Sequence, residues 1–319
     1  MTTHFLIYGA GTVGQALGCM LASDGNQVTL VLRERFAEVI RAHGLTVSGI
    51  FGDYHVEADA LHLTSSITGT EGSHYDAILL TTKSYDTRPA AKDLATLRNC
   101  SCPVVSVQNA CGNIEQLIEL FGPERSFGAR VITGFEIAGP AKVQITVSAD
   151  AIHLGAGISG TIPEPAASIA AAIDRAGLPC IAVEDVHQSL FAKLLYNCAL
   201  NPLGAVLGVN YGALAEVEGI RVVMDGIIDE TFAVISALGA RLPWSDPAEY
   251  KKFFYETLIP ATYDHRPSML QDLENHKPTE VEGLVGYVSR HGEAHNIATP
   301  YCDLLGALIR FKEEQTGSR

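Results

Sequence analysis

A chain of 319 residues with 47% hydrophobic content can bury a sizeable core and has the length for two domains. Its formal net charge of −14 argues against nucleic acid and anionic membrane as partners, so an anionic ligand would have to find positive charge locally, at Arg33, Lys83 and Lys193 for instance. There is no apolar run of eighteen or more and no charged-then-apolar leader, which points to a cytoplasmic location, and the seven cysteines, odd in number and without C-x-x-C spacing, read as buried or idle thiols in a reducing compartment.

The first local signal is the strongest. Phe5-Leu6-Ile7-Tyr8 predicts a strand, Gly9-Ala10-Gly11-Thr12-Val13-Gly14 a glycine turn, and Val13, Leu17 and Leu21 one face of a helix running to Ser23. A lone G-x-G-x-x-G is weak, but between strand and helix it predicts a dinucleotide site. Gly9 allows the tight turn, Gly11 admits a pyrophosphate, Gly14 lets the helix pack on the strand, and the helix N-terminus offers N–H groups to the phosphates. The second strand, Gln27–Leu32, is followed by Arg33 where NAD-preferring folds usually place Asp or Glu. A guanidinium there can grip a 2′-phosphate, which favours NADP, although Glu34, between Arg33 and Arg35, could face the ribose instead.

Leu45–Val47 and Tyr54–Val56 predict a hairpin, and Asp76–Thr82 a strand buried on both faces that ends at Lys83. A helix from about Arg88 to Arg98 follows, then the strand Val104–Val107, ending at Gln108-Asn109. Lys83 and Asn109 thus fall at the carboxyl edge of the sheet, where doubly wound folds bind ligands. Ser126–Thr133 is a further strand, and the alternating runs Lys142–Val147 and Ala151–Leu154 suggest antiparallel additions closing one edge of the sheet. Ala166–Ala176 reads as a helix and Pro179–Val183 as a last strand. From Val186 onward, long helical periodicities broken at Pro202, Pro243, Pro260, Pro267, Pro278 and Pro300 predict an all-helical second domain, with the boundary near Glu184-Asp185. His291 and His295 have the spacing of a metal pair, but Gly292 interrupts the helix they would need, so a polar loop is expected there and no metal site. Glu313–Arg319 reads as a fraying polar tail.

Lys193, Asn197 and Asn201 recur at four-residue steps, which stacks them on one helical face beside the packing positions Leu190, Leu194 and Cys198. Pro202 frees a backbone carbonyl one turn earlier. A solvated face is the alternative to a site, and spacing alone does not choose between them. If a nicotinamide enzyme reduces a carbonyl here, Lys193 is the acid of suitable type on the stripe, and the asparagines can orient a carboxylate or hydroxyl without adding charge. Arg266–Asp272 and Lys277–Glu282 each pair a proline with hydroxyl and acid groups, which by themselves are ordinary capping chemistry.

Taken together, Gly9-x-Gly11-x-x-Gly14, Arg33, Thr82-Lys83, Gln108-Asn109, Lys193-x-x-x-Asn197-x-x-x-Asn201-Pro202, Ser268-Met269-x-x-Asp272 and Pro278-Thr279-Glu280 resemble the ketopantoate reductase (2-dehydropantoate 2-reductase) family over essentially the whole chain. The resemblance implies an α/β dinucleotide-binding domain, residues 1–184, with a doubly wound, mostly parallel sheet, and an all-α substrate domain, residues 185–319. It implies NADPH-dependent reduction of 2-dehydropantoate to (R)-pantoate, a step toward pantothenate and coenzyme A, by a monomer or homodimer. Lys193 matches the general acid and Glu280 an acidic partner for substrate and cofactor. Asn197, Asn201 and Ser268 match substrate positions, Lys83 and Asn109 positions near the nicotinamide half, with Asn109 also reaching substrate, and Arg33 the 2′-phosphate position. Gly9, Ala10, Gly11, Thr12, Val13 and Gly14 form the cofactor turn.

The sequence departs from the family pattern in three places: Asp86 replaces a common glutamine, Ala110-Cys111 follows Gln108-Asn109 where glycine is usual, and Gly204 replaces a frequent hydroxyl residue. All three bear on which substrate is used more than on reaction type. Two other readings are a D-2-hydroxyacid (mandelate-type) dehydrogenase acting on another 2-oxo acid, which Arg33 opposes, and a nucleotide sensor without turnover, which the Lys193 stripe opposes.

Overall fold

The computed structural model describes residues 2–68, 74–97, 100–157 and 160–317. They divide into two compact units. One takes in the chain up to Asn109 and Asn113–Val186, the other Ala110–Gly112 and the chain from His187 onward.

Unit 1 is α/β. Its strands are β1 (His4–Tyr8), β2 (Gln27–Val31), β3 (Leu45–Gly49), β4 (Tyr54–Val56), β5 (His62–Thr64), β6 (Ala77–Leu80), β7 (Val104–Ser106), β8 (Ser126–Arg130), β9 (Thr133–Gly139), β10 (Lys142–Ser148), β11 (Ile152–Ala156) and β12 (Cys180–Ala182). Its helices are α1 (Thr12–Ser23), α2 (Glu34–His43), α3 (Thr87–Leu94), α4 (Asn113–Phe121) and α5 (Glu164–Arg175). Eight strands form one sheet in the order β12-β11-β8-β7-β6-β1-β2-β5, parallel from β8 to β5, with β11 antiparallel to β8. This is the expected doubly wound, mostly parallel architecture. All four residues of β6 are buried, because helices cover both faces of a parallel sheet.

The second sheet was not expected. β10 does not extend the main sheet but pairs parallel with β3 and antiparallel with β9, giving the order β4-β3-β10-β9. Its alternation fits this placement: Val143 and Ile145 are buried, Lys142 and Gln144 exposed, as in a sheet with one face packed, here toward α1. β11 does join the main sheet as expected, and the strand expected over Ser126–Thr133 stops at Arg130 before β9 begins. α3 ends at Leu94; Arg98, its expected end, lies outside the described residues. Cys100 and Cys102 are joined by a disulfide, correcting the reading of seven thiols: one intervening residue leaves their Cα atoms 5.3 Å apart, within bridging range, while the other five cysteines are free and buried.

Unit 2 is helical: α6 (Val186–Leu207), α7 (Tyr211–Ala215), α8 (Glu218–Ala237), α9 (Pro247–Phe253), α10 (Ile259–Ala261), α11 (Ser268–Glu274), α12 (Val285–Ala294) and α13 (Pro300–Thr316). Pro202 does not break α6, which runs one and a half turns beyond it. Between α9 and α10, Phe254–Leu258 is a π-helical turn, and Pro260, which has no N–H to donate and crowds the carbonyl four residues earlier, accounts for the widened pitch. α12 passes through Gly292, so His291 lies in a helix and not in a polar loop. A Cβ at Gly292 would stand 2.7 Å from Thr299 Cγ2, and close packing explains the glycine. The expected tail is helical to Thr316, because Glu313 is 1% exposed and anchored; residues 318–319 lie outside the described set. By length and composition α6 could cross a membrane, and 72% of that stretch is buried.

Candidate active site

In unit 1 the glycine turn is held from below. Gly9 and Ala10 donate to Val31 O, Gln15 Nε2 donates to Ala10 O at 3.0 Å, and the Thr81 hydroxyl donates to Gly9 O at 2.6 Å. Gly9 sits at φ +97°, and a Cβ there would lie 2.4 Å from Thr82 Cγ2; a Cβ at Gly14 would lie 2.6 Å from Thr81 Oγ1. Protein therefore explains those two glycines. Gly11 is different, since a Cβ there would meet nothing within 4 Å. It is also the N-cap of α1, and no side chain caps the N–H groups of that first turn there. A dinucleotide's pyrophosphate fits this cradle in room and in donors.

On the neighbouring strand ends a buried amide does the fastening. Gln108, 6% exposed, accepts from the Ser106 hydroxyl and places its Nε2 within 3.1 Å of Thr82 Oγ1, 3.2 Å of Lys83 O and 2.8 Å of Thr87 Oγ1. Thr87 donates on to Asn113 Oδ1, and Asn113 Nδ2 donates to Asn109 O at 2.9 Å. One chain of hydrogen bonds thus ties the segments bearing Lys83 and Asn109, so both residues are presented by fixed backbone. The sequence reading did not single out Thr81, Thr87 or Asn113. The available signal was hydroxyl and amide residues directly after fully apolar strands, where the chain must stop burying carbon and satisfy turning backbone.

Arg33 is exposed at the start of α2, and among the described residues its guanidinium makes no hydrogen bond. Glu34 is held by Arg41 at 2.5 Å, which engages its carboxylate within its own helix. Asp86, half-buried at the start of α3, feels Arg33: burial pushes its carboxyl up and the guanidinium pulls it back. Tyr8 donates to Asp93 Oδ2 at 2.6 Å, joining β1 to α3 beneath this region.

Unit 2 carries the second set. On α6, Lys193 and Asn197 are half-buried, Asn201 is 5% exposed, and Leu194 and Cys198 are in the core, so the polar and packing stripes are separate faces as the spacing required. Asn201 Nδ2 donates to Ser268 Oγ at 2.9 Å, and Met269 N donates to Asn201 Oδ1 at 3.0 Å. The structure therefore brings Asn201 and Ser268 together, with Asn201 capping the first turn of α11. Gly204, a departure from the family pattern, lies where a Cβ would stand 2.6 Å from Pro267 Cγ and 3.1 Å from Val209 O. The missing side chain makes room for the residue that leads into Ser268. Glu280 is buried, and its segment is fixed by Thr279, whose N–H and hydroxyl both donate to Glu313 Oε1, at 2.7 and 2.6 Å. Among the described residues no group of three His, Cys, Asp or Glu is placed to hold a metal ion, and His295 Nδ1 is bonded to His291 O.

Residues 5–158 match the family profile described as Ketopantoate reductase PanE/ApbA, and residues 185–313 match Ketopantoate reductase PanE/ApbA C terminal. The chain belongs to the ketopantoate reductase family. It is a dinucleotide-dependent oxidoreductase acting on CH–OH groups. A 2-dehydropantoate 2-reductase of Aquifex aeolicus is 34% identical over 316 residues, 98% of each chain. A PanE/ApbA family ketopantoate reductase from Ralstonia eutropha superposes with a TM-score of 0.86 at 31% identity, covering 99% of this chain and 100% of that one. D-mandelate dehydrogenase, solved with NADH and anilino(oxo)acetate, gives 0.87 at 25% identity over 99% and 100%.

Proposed function

We propose that this ketopantoate reductase family member reduces 2-dehydropantoate to (R)-pantoate with NADPH, in the cytoplasm, on the route to pantothenate and coenzyme A. The observation that carries the reading is the polar stripe of α6, Lys193-Asn197-Asn201, fastened to Ser268 in a chain that matches 2-dehydropantoate 2-reductases along its whole length. Residues 1–184 carry the cofactor and residues 185–319 the catalytic groups. Gly9 to Gly14 hold the pyrophosphate, Arg33 the 2′-phosphate, and Lys83 and Asn109 the nicotinamide half. A nicotinamide held there would supply the hydride for the carbonyl carbon. Lys193 Nζ gives its proton to the oxygen as charge develops there, which leaves a neutral amine and a secondary alcohol. Asn197 and Ser268 orient the substrate, and Asn201 holds Ser268 in place. Glu280 stands as the acidic partner that helps hold substrate and cofactor.

The likeness to D-mandelate dehydrogenase favours a second reading, an NADH-linked reductase of an aryl-substituted 2-oxo acid. Oxidation of NADPH and NADH by 2-dehydropantoate and by a panel of 2-oxo acids decides between them. Highest kcat/KM with 2-dehydropantoate and NADPH is expected, and preference for an aryl acid overturns the first reading. Lys193→Ala is expected to lower kcat by at least about 100-fold with NADPH affinity nearly unchanged. Unaltered turnover would remove the acid role.

A further inference from the structure

In the main sheet β2 and β6 flank β1, so the residues that follow them, Arg33 and the segment Lys83–Asp86, stand on either side of the glycine turn. Asp86 is the N-cap residue of α3, yet its side chain does not cap that helix, and among the described residues no donor hydrogen-bonds its carboxylate. The Arg33 guanidinium is likewise without a hydrogen bond among the described residues, and its charge pulls against the burial that raises the Asp86 carboxyl. Two neighbouring acids are engaged elsewhere, Glu34 by Arg41 and Asp93 by the Tyr8 hydroxyl. A half-buried carboxylate and an exposed guanidinium therefore follow the two strands that flank the nucleotide turn, coupled by charge and with no hydrogen bond between them.

From this arrangement we infer that Asp86 sets the preference between phosphorylated and unphosphorylated adenosine ribose. The inference rests on the reading of unit 1 as the nucleotide carrier. A 2′-phosphate that engages Arg33 takes away the counter-charge of Asp86 and brings a like charge toward it, so Asp86 opposes the phosphate that Arg33 attracts. A bare ribose adds no charge, and its 2′-hydroxyl can donate to the carboxylate. Arg33 and Asp86 together thus narrow the gap between the two cofactors.

The test is calorimetric titration of the full chain with adenosine 2′,5′-bisphosphate and with ADP at fixed ionic strength, for the wild type, Asp86→Asn, Asp86→Glu and Arg33→Gln. Asp86→Asn is expected to tighten the bisphosphate about tenfold, without tightening ADP, and Asp86→Glu to keep the wild-type ratio. Arg33→Gln is expected to weaken the bisphosphate and to abolish the difference between wild type and Asp86→Asn. If both ligands bind and Asp86→Asn changes neither affinity, or both equally, the inference fails while the nucleotide reading stands. If neither binds the wild type, the nucleotide reading fails and takes the inference with it.

Discussion

Ala110 has φ +73°, a left-handed backbone that costs an L-residue with a Cβ roughly 1–2 kcal/mol. The family pattern has glycine here, and the turn geometry supplies the reason. Ala110→Gly is expected to raise the thermal midpoint by a few degrees, since relief of the local strain outweighs the added freedom of the unfolded chain, about 0.4–1 kcal/mol. A lowered midpoint in differential scanning calorimetry would mean that the alanine methyl, buried in unit 2, contributes more than its backbone costs. At this scale the sequence was legible where one residue type does one job. Gly9, Gly14 and the α6 stripe were placed by spacing. Glu313, which reads as part of a polar tail, could not be recognised as a buried anchor, because its partner Thr279 lies 34 residues away.

Elements meet where small residues let them. The approach of Pro267 to Gly204 brings α6 and the start of α11 together, and it is the setting in which Asn201 reaches both Ser268 Oγ and Met269 N. Gly204→Ser would place a side chain into that contact. The expected result is a loss of about 1–3 kcal/mol, with a rise in KM for the oxo acid larger than any fall in kcat, because Ser268 is displaced before Lys193 is. Steady-state kinetics beside thermal unfolding check this, and an unchanged KM would separate Ser268 from the substrate. α13 offers a second case: Glu230, buried in α8, accepts from Tyr301 N and Cys302 N and so places a carboxylate at the helix N-terminus, where it is favoured. Helices of this length announce themselves by periodicity, whereas the second sheet did not. Its β3–β10 pairing sets Lys142 opposite Thr46, and alternation within a strand says which face is buried but not which strand lies alongside.

For the molecule as a whole, acid is the expected weakness. Burial, and next the Arg130 guanidinium, hold the His153 imidazole below its ordinary 6.5, even though Asp150 Oδ2 lies 3.2 Å from its Nε2. Burial would raise the Asp150 carboxyl, but the Arg130 hydrogen bond at 2.7 Å and the Ala151 N–H outweigh it and bring it below 3.8. Both groups bind protons more tightly when unfolded. The stability these two groups contribute is therefore fully present above about pH 7 and falls first as His153 is forced to charge, then again below pH 4 as Asp150 is neutralised. His153→Gln is expected to flatten the midpoint against pH between about pH 7 and 5 in thermal scans, and an identical slope would acquit the histidine.

The two units are also threaded through each other in sequence. The backbone leaves unit 1 after Asn109, contributes Ala110–Gly112 to unit 2, where Cys111 N donates to Gly283 O, and comes back at Asn113. A gene cut at codon 184 would hand that tripeptide to the wrong product. Neither half expressed alone would then be a whole body, and any account of one half's behaviour in isolation would describe a fragment with a strip torn out.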